Sequence, residues 1–320
     1  MALSSRLLAI LACPRDGAEL IERDDKLKCA NGHSYPIVDG VPVMLILDRP
    51  GTHWVFNRSI KDAYFPKASA RVPASDGVDR FVQESIVLVA GLLYRPLVNN
   101  LPRYPQARLE IPPGTGKTFL DIGSSWGRWT LAAARLGYNA IGIDPNLDAI
   151  RAARRVAERE GVDADFLVAD ARALPFRDNT IDVAFSYSVL QHFSKDDVRE
   201  TLAQIRRKLA PDGFSLIQMA NRAGVRSLYH QAKRNFREAD GFDVRYWSVA
   251  ELIKTFTEII GPSEISADCY FGLGIQPRDA ELLPLSYRAV VSASEMMRSL
   301  STRVRALRNL ADSVFIRSEL

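Results

Sequence analysis

The sequence predicts an α/β protein, a doubly wound sheet with helices on both faces, preceded by a small β-rich domain. Three observations predict it. From Thr118 onward, short apolar runs alternate with stretches of helical period, the pattern of parallel strands joined by helices. An aspartate closes successive runs, at Asp144 and Asp170. Ahead of this, Leu7 to Leu47 is punctuated by turn residues between short strand-like segments.

The chain has 320 residues, 47% hydrophobic and 25% charged, enough for one large core or two domains. A net charge of +4 is too mild to indicate nucleic acid without clustering. Cys13, Cys29 and Cys269 cannot form a disulfide framework, so a reducing, cytoplasmic setting is expected. The apolar run Leu7 to Leu11 is shorter than the roughly 7–15 residues of a signal core, and a buried first helix is expected there instead. No run reaches the roughly 18 apolar residues of a membrane span.

The first unit, 1–47, places Cys13 and Asp16 at C-x2-D spacing and Cys29 and His33 at C-x3-H spacing. Two thiolates, an imidazole and a carboxylate form a donor set that zinc accepts. The alternative is a ribbon that has lost its metal and lives on apolar contacts, since Asp16 stands where a cysteine is usual. Residues 48–76 are expected to be a linker packed on the next domain. They are rich in Pro50, Pro66, Pro73, Gly51, Ser69 and Ser75, yet carry His53, Trp54, Phe56, Tyr64 and Phe65. Val78 to Leu101 has the apolar spacing of a helix interrupted near Pro96, either a cover for the sheet or a lid over a substrate.

Strands are expected at Phe119–Ile122, Ala140–Ile143, Asp165–Val168, Ile181–Tyr187 and Phe214–Met219, with helices at Gly127–Leu136, Leu147–Glu160 and Lys195–Leu209. Such an order puts a ligand crevice at the carboxyl ends of the strands. A dinucleotide G-x-G-x-x-G fingerprint would fall on Gly123, Ser125 and Arg128, and two of those three positions fail. The spacing present is D-x-G-x-S-x-G, from Asp121 through Gly123 and Ser125 to Gly127.

That motif resembles the first motif of the class I S-adenosylmethionine (SAM)-dependent methyltransferases, with Ser125 in place of the middle glycine. Leu174 to Ser186 and the turn Leu209 to Gly213 are similar to the approaches to that family's fourth and fifth strands. The resemblance covers about Phe119 to Ala220 and implies the seven-stranded methyltransferase sheet, with an antiparallel last strand at Ser313–Arg317. It implies that Asp144 accepts the ribose hydroxyls and Asp170 the adenine amino group, with Ala171 and Ser186 beside the cofactor. His192, just past the fourth strand, is then the candidate general base, with Tyr187 and Gln191 orienting the acceptor. The alternative for His192 is a helix-start residue packed beside Phe193.

A second resemblance concerns the first forty-odd residues. Ile10 to Pro14 and Tyr35, Pro36, Ile37, Asp39, Gly40 and Pro42 resemble the zinc ribbon of the tRNA-methyltransferase activator family, although two of its four cysteines are unmatched.

Several acceptors are disfavoured. The amino-methylating N/D-P-P-Y motif is replaced by Ser186, Tyr187, Ser188 and Val189, and no cysteine stands near the site for cytosine C5 chemistry. Substrate determinants are expected in the helices at 77–101, 221–237 and 285–310. The second gathers Arg222, Arg226, Lys233, Arg234 and Arg237, either as a solvated face or as an anion-recognising flap. The third has an apolar stripe suited to packing on the sheet, a homodimer contact or peripheral membrane contact. Three readings follow. The first is a methyltransferase acting on a small molecule, saccharide or lipid-linked intermediate, the second an RNA methyltransferase whose ribbon holds the nucleic acid, and the third a cofactor-binding scaffold without turnover.

Overall fold

The structure is a computed structural model that describes residues 3–51, 54–64, 77–272, 274 and 276–320. It begins with helix α1 (Ser5–Ile10), whose N-terminus is capped by Ser4, the Oγ accepting from Leu7 N at 3.1 Å. Strands β1 (Leu20–Arg23), β2 (Lys26–Cys29), β3 (Ser34–Val38) and β4 (Val41–Pro42) follow as an antiparallel sheet in sequential order. Leu27 and Tyr35 fill its inner face.

The connecting segment contains structure that its Pro- and Gly-rich composition hides. Helix α2 (Trp54–Tyr64) buries Val55, Phe56, Ser59 and Ala63, a helical stripe. Ser59 Oγ accepts from Leu147 N at 2.9 Å, which fixes this helix to the domain beyond. His53, Phe65, Pro66, Ser69, Pro73 and Ser75 lie outside the described residues. The expected helix at 78–101 divides into α3 (Arg80–Ala90) and a 3-10 segment, Leu92–Leu97, that holds Pro96. The break is at Gly91, whose φ of 101° lies in the left-handed region that favours glycine.

The second domain is a seven-stranded sheet. Its strands are β5 (Thr118–Ile122), β6 (Asn139–Asp144), β7 (Asp165–Val168), β8 (Ile181–Ser186), β9 (Leu209–Ala220), β10 (Ser263–Cys269) and β11 (Ser313–Glu319). They lie in the order β10-β11-β9-β8-β5-β6-β7. The pairs from β9 to β7 are parallel, and β11 inserts antiparallel to both β9 and β10. Period-two alternation sends neighbouring residues of β5 to opposite faces. Leu120 and Ile122 join the core of α6 (Lys195–Lys208) and α8 (Val249–Ile259). Phe119 joins the core of α4 (Arg128–Arg135), while α5 (Leu147–Glu160) and α3 cover a neighbouring cluster. Helix α7 (Val225–Lys233) and α9 (Leu285–Arg303) stand near the carboxyl end of the sheet, and the stripe expected to run unbroken to 310 changes to a 3-10 turn after Val304.

A parallel crossover normally carries a helix that covers the sheet. The connection from β7 to β8 carries none. The N-terminal domain fills the space: Leu7 and Leu11 of its first segment pack in one cluster with Leu120, Leu167, Leu174 and Phe176. Ala12 N donates to Pro175 O at 3.0 Å and Arg177 N to Ile10 O at 2.8 Å. Val43 forms a parallel bridge with Val168, and Met44 N donates to Val168 O at 2.8 Å, so the chain after β4 pairs with the outer edge of β7. The two units share one core.

Candidate active site

The turn after β5 is built by small residues for steric reasons. Gly123 has φ +79°, and a Cβ there would stand 2.3 Å from a methyl of Val189. Gly127, φ +85°, opens α4. Ser125, at the position where glycine is usual, holds φ 47°, an uncommon but allowed conformation. Asp121 is buried beneath this turn and ties it together, accepting from Thr130 N at 2.9 Å and Thr130 Oγ1 at 2.7 Å. Burial lifts its carboxyl to about 7 despite those donors. Asp121 therefore shapes the loop from within.

Asp144, at the end of β6, accepts from Ser125 N at 3.0 Å through one oxygen and from Asn146 N at 2.8 Å through the other. Each oxygen keeps a second acceptor site. Burial pushes this carboxyl up to about 6, with the two backbone donors opposing.

Asp170 differs. Its carboxylate is engaged by Arg172, through the backbone N at 2.9 Å, Nε at 3.1 and 3.2 Å and Nη2 at 2.7 Å. Arg172 in turn donates to Asp197 at 2.9 Å and to Pro50 O at 2.7 Å, so the segment before α2 is drawn over the end of β7. Most of the acceptor capacity of Asp170 is already used. Ala171 beside it is buried, and Ser186 is wholly buried, its Oγ donating to Ile122 O at 2.8 Å across the sheet.

Beyond β8 the chain makes a short 3-10 turn, Leu190–His192. Ser188 has φ 62°, and its N donates to Gln218 Oε1 at 2.8 Å. The His192 ring stacks on Phe242 at 4.0 Å, and Nδ1 lies 2.7 Å from Phe242 O. A carbonyl only accepts, so Nδ1 carries the proton and Nε2 is the basic nitrogen. Arg245 clamps the turn, its N donating to Gln191 O at 2.7 Å and Nη1 to His192 O at 2.6 Å. The buried side-chain oxygen of Gln191, Oε1, has no hydrogen-bond partner. Tyr187 turns inward: it packs on Trp129 at 4.5 Å and its hydroxyl donates to the buried Asp268 at 2.9 Å. That geometry makes it a buttress under the turn. Sequence reasoning missed Arg245, Gln218 and Asp268, which have no local motif and meet the turn only in three dimensions.

Ser188, Gln191 and His192 line a cavity of about 800 Å³. Its other walls come from α3 and the turn after it, from α7 and the segment to Tyr246, from Phe271, Gly272 and Gly274, and from Tyr287 and Val290 of α9.

In the N-terminal domain, Cys13, Asp16, Cys29 and His33 converge, with one donor atom of each lying within 4.8 Å of the others. A tetrahedron with metal–ligand bonds of about 2.0–2.3 Å has edges of roughly 3.3–3.8 Å. Here His33 Nδ1 stands 3.4 Å from each cysteine sulfur and 3.1 Å from Asp16 Oδ2, and Cys29 Sγ is 3.9 Å from Asp16. Asn31 and Cys13 hold the Asp16 carboxyl well below the usual carboxylate range, which keeps it an anionic donor. The four residues fit a tetrahedral ion.

The sheet order, the small-residue turn and the carboxylate at the end of β6 define an α/β domain of the nucleotide-cofactor class. Residues 119–213 match the family model described as a methyltransferase domain, so the chain carries a domain of the class I SAM-dependent methyltransferase type. Over 110 residues it is 33% identical to the ubiquinone biosynthesis O-methyltransferase of Paramagnetospirillum magneticum, covering 34% of this chain and 43% of that one. Over 144 residues it is 25% identical to phosphoethanolamine N-methyltransferase 1 of Triticum aestivum, covering 42% of this chain and 26% of the relative. The chain spans less than half the length of these curated relatives. A solved complex between the Haloferax volcanii Trm112 methyltransferase activator and a methyltransferase contains a chain 21% identical to this one, with a TM-score of 0.45, covering 75% of this chain and 90% of that one. No helix among the described residues is long and apolar enough to cross a membrane.

Proposed function

We propose that the chain is a SAM-dependent methyltransferase acting on a small-molecule acceptor bound in the cavity beside His192. The observation that carries this reading is the open acceptor capacity of Asp144 where it pins the Gly123–Gly127 turn; Gly123 of that turn packs against Val189, which leads into the Leu190–His192 turn bordering the cavity. A sulfonium methyl is already activated, so catalysis rests on aligning the acceptor behind it and excluding water. Asp144 would hold the ribose hydroxyls of the cofactor, and the backbone N–H groups of the Gly123–Gly127 turn would be the donors nearest to it. His192 Nε2 takes the proton of a hydroxyl or nitrogen acceptor. The methylated substances named for the relatives, a ubiquinone intermediate and phosphoethanolamine, favour a small acceptor over RNA.

Calorimetry with SAM tests the cofactor half, with a one-to-one stoichiometry expected. Tritiated methyl transfer into fractionated small-molecule, lipid and RNA extracts tests the acceptor half, and label confined to RNA would reverse the assignment. We read the N-terminal unit as a ribbon of the tRNA-methyltransferase activator type, with zinc held by Cys13, Asp16, Cys29 and His33. The ion would tie the knuckle after α1 to the β2–β3 turn, a structural role.

A further inference from the structure

The cavity beside His192 has two unlike walls. Val87, Leu92, Leu93, Phe271, Tyr287 and Val290 form an apolar side. From α7 and the segment after it come Arg226, Lys233, Arg234 and Arg237, and the single carboxylate among the lining residues is Asp243.

Several arginines elsewhere in the described residues are neutralised by carboxylates. Arg128 is paired with Asp279, Arg172 with Asp170 and Asp197, Arg155 with Asp79 and Arg298 with Glu110. Among the described residues, Arg226, Lys233, Arg234 and Arg237 have no carboxylate within ion-pair distance. Arg234 is nevertheless held in place, with Nη1 donating to Val244 O at 3.0 Å and its guanidinium 5.4 Å from the centre of the Tyr246 ring. Its buried Nε has no partner. Burial and then the charges of Arg226 and Lys233 lower the pKa of His230, which lines the same wall, with Asp312 opposing. The share of that shift owed to Arg226 and Lys233 reflects the positive charge they place on this wall. Uncompensated cations gathered on one side of a cleft raise the local concentration of anions and fix them by charge-assisted hydrogen bonds. The apolar side requires that the same molecule carry hydrocarbon or a ring, because water against that wall is costly.

We propose that the methyl acceptor is an anionic amphiphile, a small molecule with a phosphate or carboxylate head against Arg226, Lys233, Arg234 and Arg237 and an apolar body against Leu92, Leu93 and Val290. This rests on the methyltransferase reading, since it names the acceptor of that site.

The test is calorimetry on the full chain, with SAM and with acceptor analogues titrated separately. The probes are decyl phosphate and decanoate as anionic amphiphiles, decyl glucoside as the neutral counterpart and inorganic phosphate as the head alone, the amphiphiles kept below their micellar concentrations. Decyl phosphate or decanoate should bind at least tenfold more tightly than decyl glucoside and than inorganic phosphate, and the tighter of the two names the head. The double variant Lys233→Ser/Arg237→Ser, both residues being exposed, should erase the preference for charge while leaving SAM affinity within twofold. Leu92→Ser should weaken the amphiphile and leave inorganic phosphate unaffected. Equal binding of decyl phosphate and decyl glucoside, or indifference of both to the double variant, overturns the proposal. Binding only to vesicles of anionic phospholipid, with no affinity for the monomeric probes, also overturns it and makes the wall a membrane-docking surface. Failure of SAM to bind, with the charge preference intact, removes the methyltransferase reading alone and upholds the ligand class of the pocket.

Discussion

The two halves of the crevice treat their charges differently. On the cofactor side, at the ends of β5, β6 and β7, each carboxylate is already engaged: Asp121 by Thr130, Asp144 by Ser125 and Asn146, and Asp170 by Arg172. On the acceptor side the cations of α7 and the segment after it line the cavity with no carboxylate at ion-pair distance among the described residues, and Gln191 keeps its buried Oε1 unpartnered. A half whose carboxylates are held by the protein's own donors keeps its shape before any ligand arrives, although Ser124 Oγ and Trp126 Nε1 in its turn are buried without partners. A half whose cations lack carboxylate partners is completed by an anion that binds there. In the proposed methyltransferase the first would suit an invariant cofactor, and the second would carry the specificity.

The largest expected effect tests the cofactor side at its one open carboxylate. Asp144→Ala should weaken SAM by about 100-fold or more, since hydrogen bonds to a charged group contribute about 1.5–3 kcal/mol each; indifference in calorimetry would falsify the cofactor assignment. His192→Gln probes the boundary between the halves. A loss of about 100-fold in methyl-transfer kcat is expected, with SAM affinity unchanged, whereas a shift in SAM affinity would move His192 to the cofactor side. Asp170→Ala should separate the two strand-end carboxylates. It breaks a buried pair and should cost about 3 kcal/mol in urea unfolding, yet weaken SAM far less than Asp144→Ala does. An equal loss of SAM in the two variants would erase the distinction.

A pH titration gives a smaller effect with a definite sign. The Asp144 carboxyl is raised to about 6 in the folded chain, so it is protonated below that pH and loses acceptor capacity. SAM affinity should fall as pH drops through about 6. The stability contribution runs the other way: a raised carboxyl favours the folded state in acid and loses that advantage as pH rises through about 6. The smallest expected effect concerns the distant cluster. Metal analysis should find close to one zinc per chain, and its removal by a chelator should lower the melting temperature while changing SAM affinity little.

Much of the sheet could be read from the chain, because each strand is a local apolar run and each turn a local cluster of small residues. The D-x-G-x-S-x-G spacing pointed to the turn beneath which Asp121 lies, and the strand-end position of Asp144 identified the group that pins it. The candidate metal-ligating set was also visible as two spacings, and the fold brings the four residues together. What escaped was tertiary. Asp170 and Asp144 look alike in sequence, and only the fold shows Arg172 closing on the first, although the two-residue spacing from Asp170 to Arg172 was a signal. The stripe of Val55, Phe56, Ser59 and Ala63 was likewise present but was masked by prolines and glycines on either side. Tyr187 stood beside the expected base in sequence, but strand alternation turns its ring toward Trp129 and Asp268. The cavity draws its walls from α3, α7 and α9, so no single segment announces it.

The missing helix between β7 and β8 has a consequence for how the chain comes into being. A crossover helix would fold with its neighbours as they are made. Here the cover, Leu7 and Leu11, and the strand that pairs with the sheet edge, at Val43 and Met44, are synthesised first and wait for Val168 and Phe176. Until those residues leave the ribosome, the opening segment has no surface to close on, and its apolar side chains remain exposed to other chains. An early knuckle locked by a metal ion would shorten that exposure, giving Cys13 and Cys29 a task during synthesis that is distinct from any in the finished enzyme.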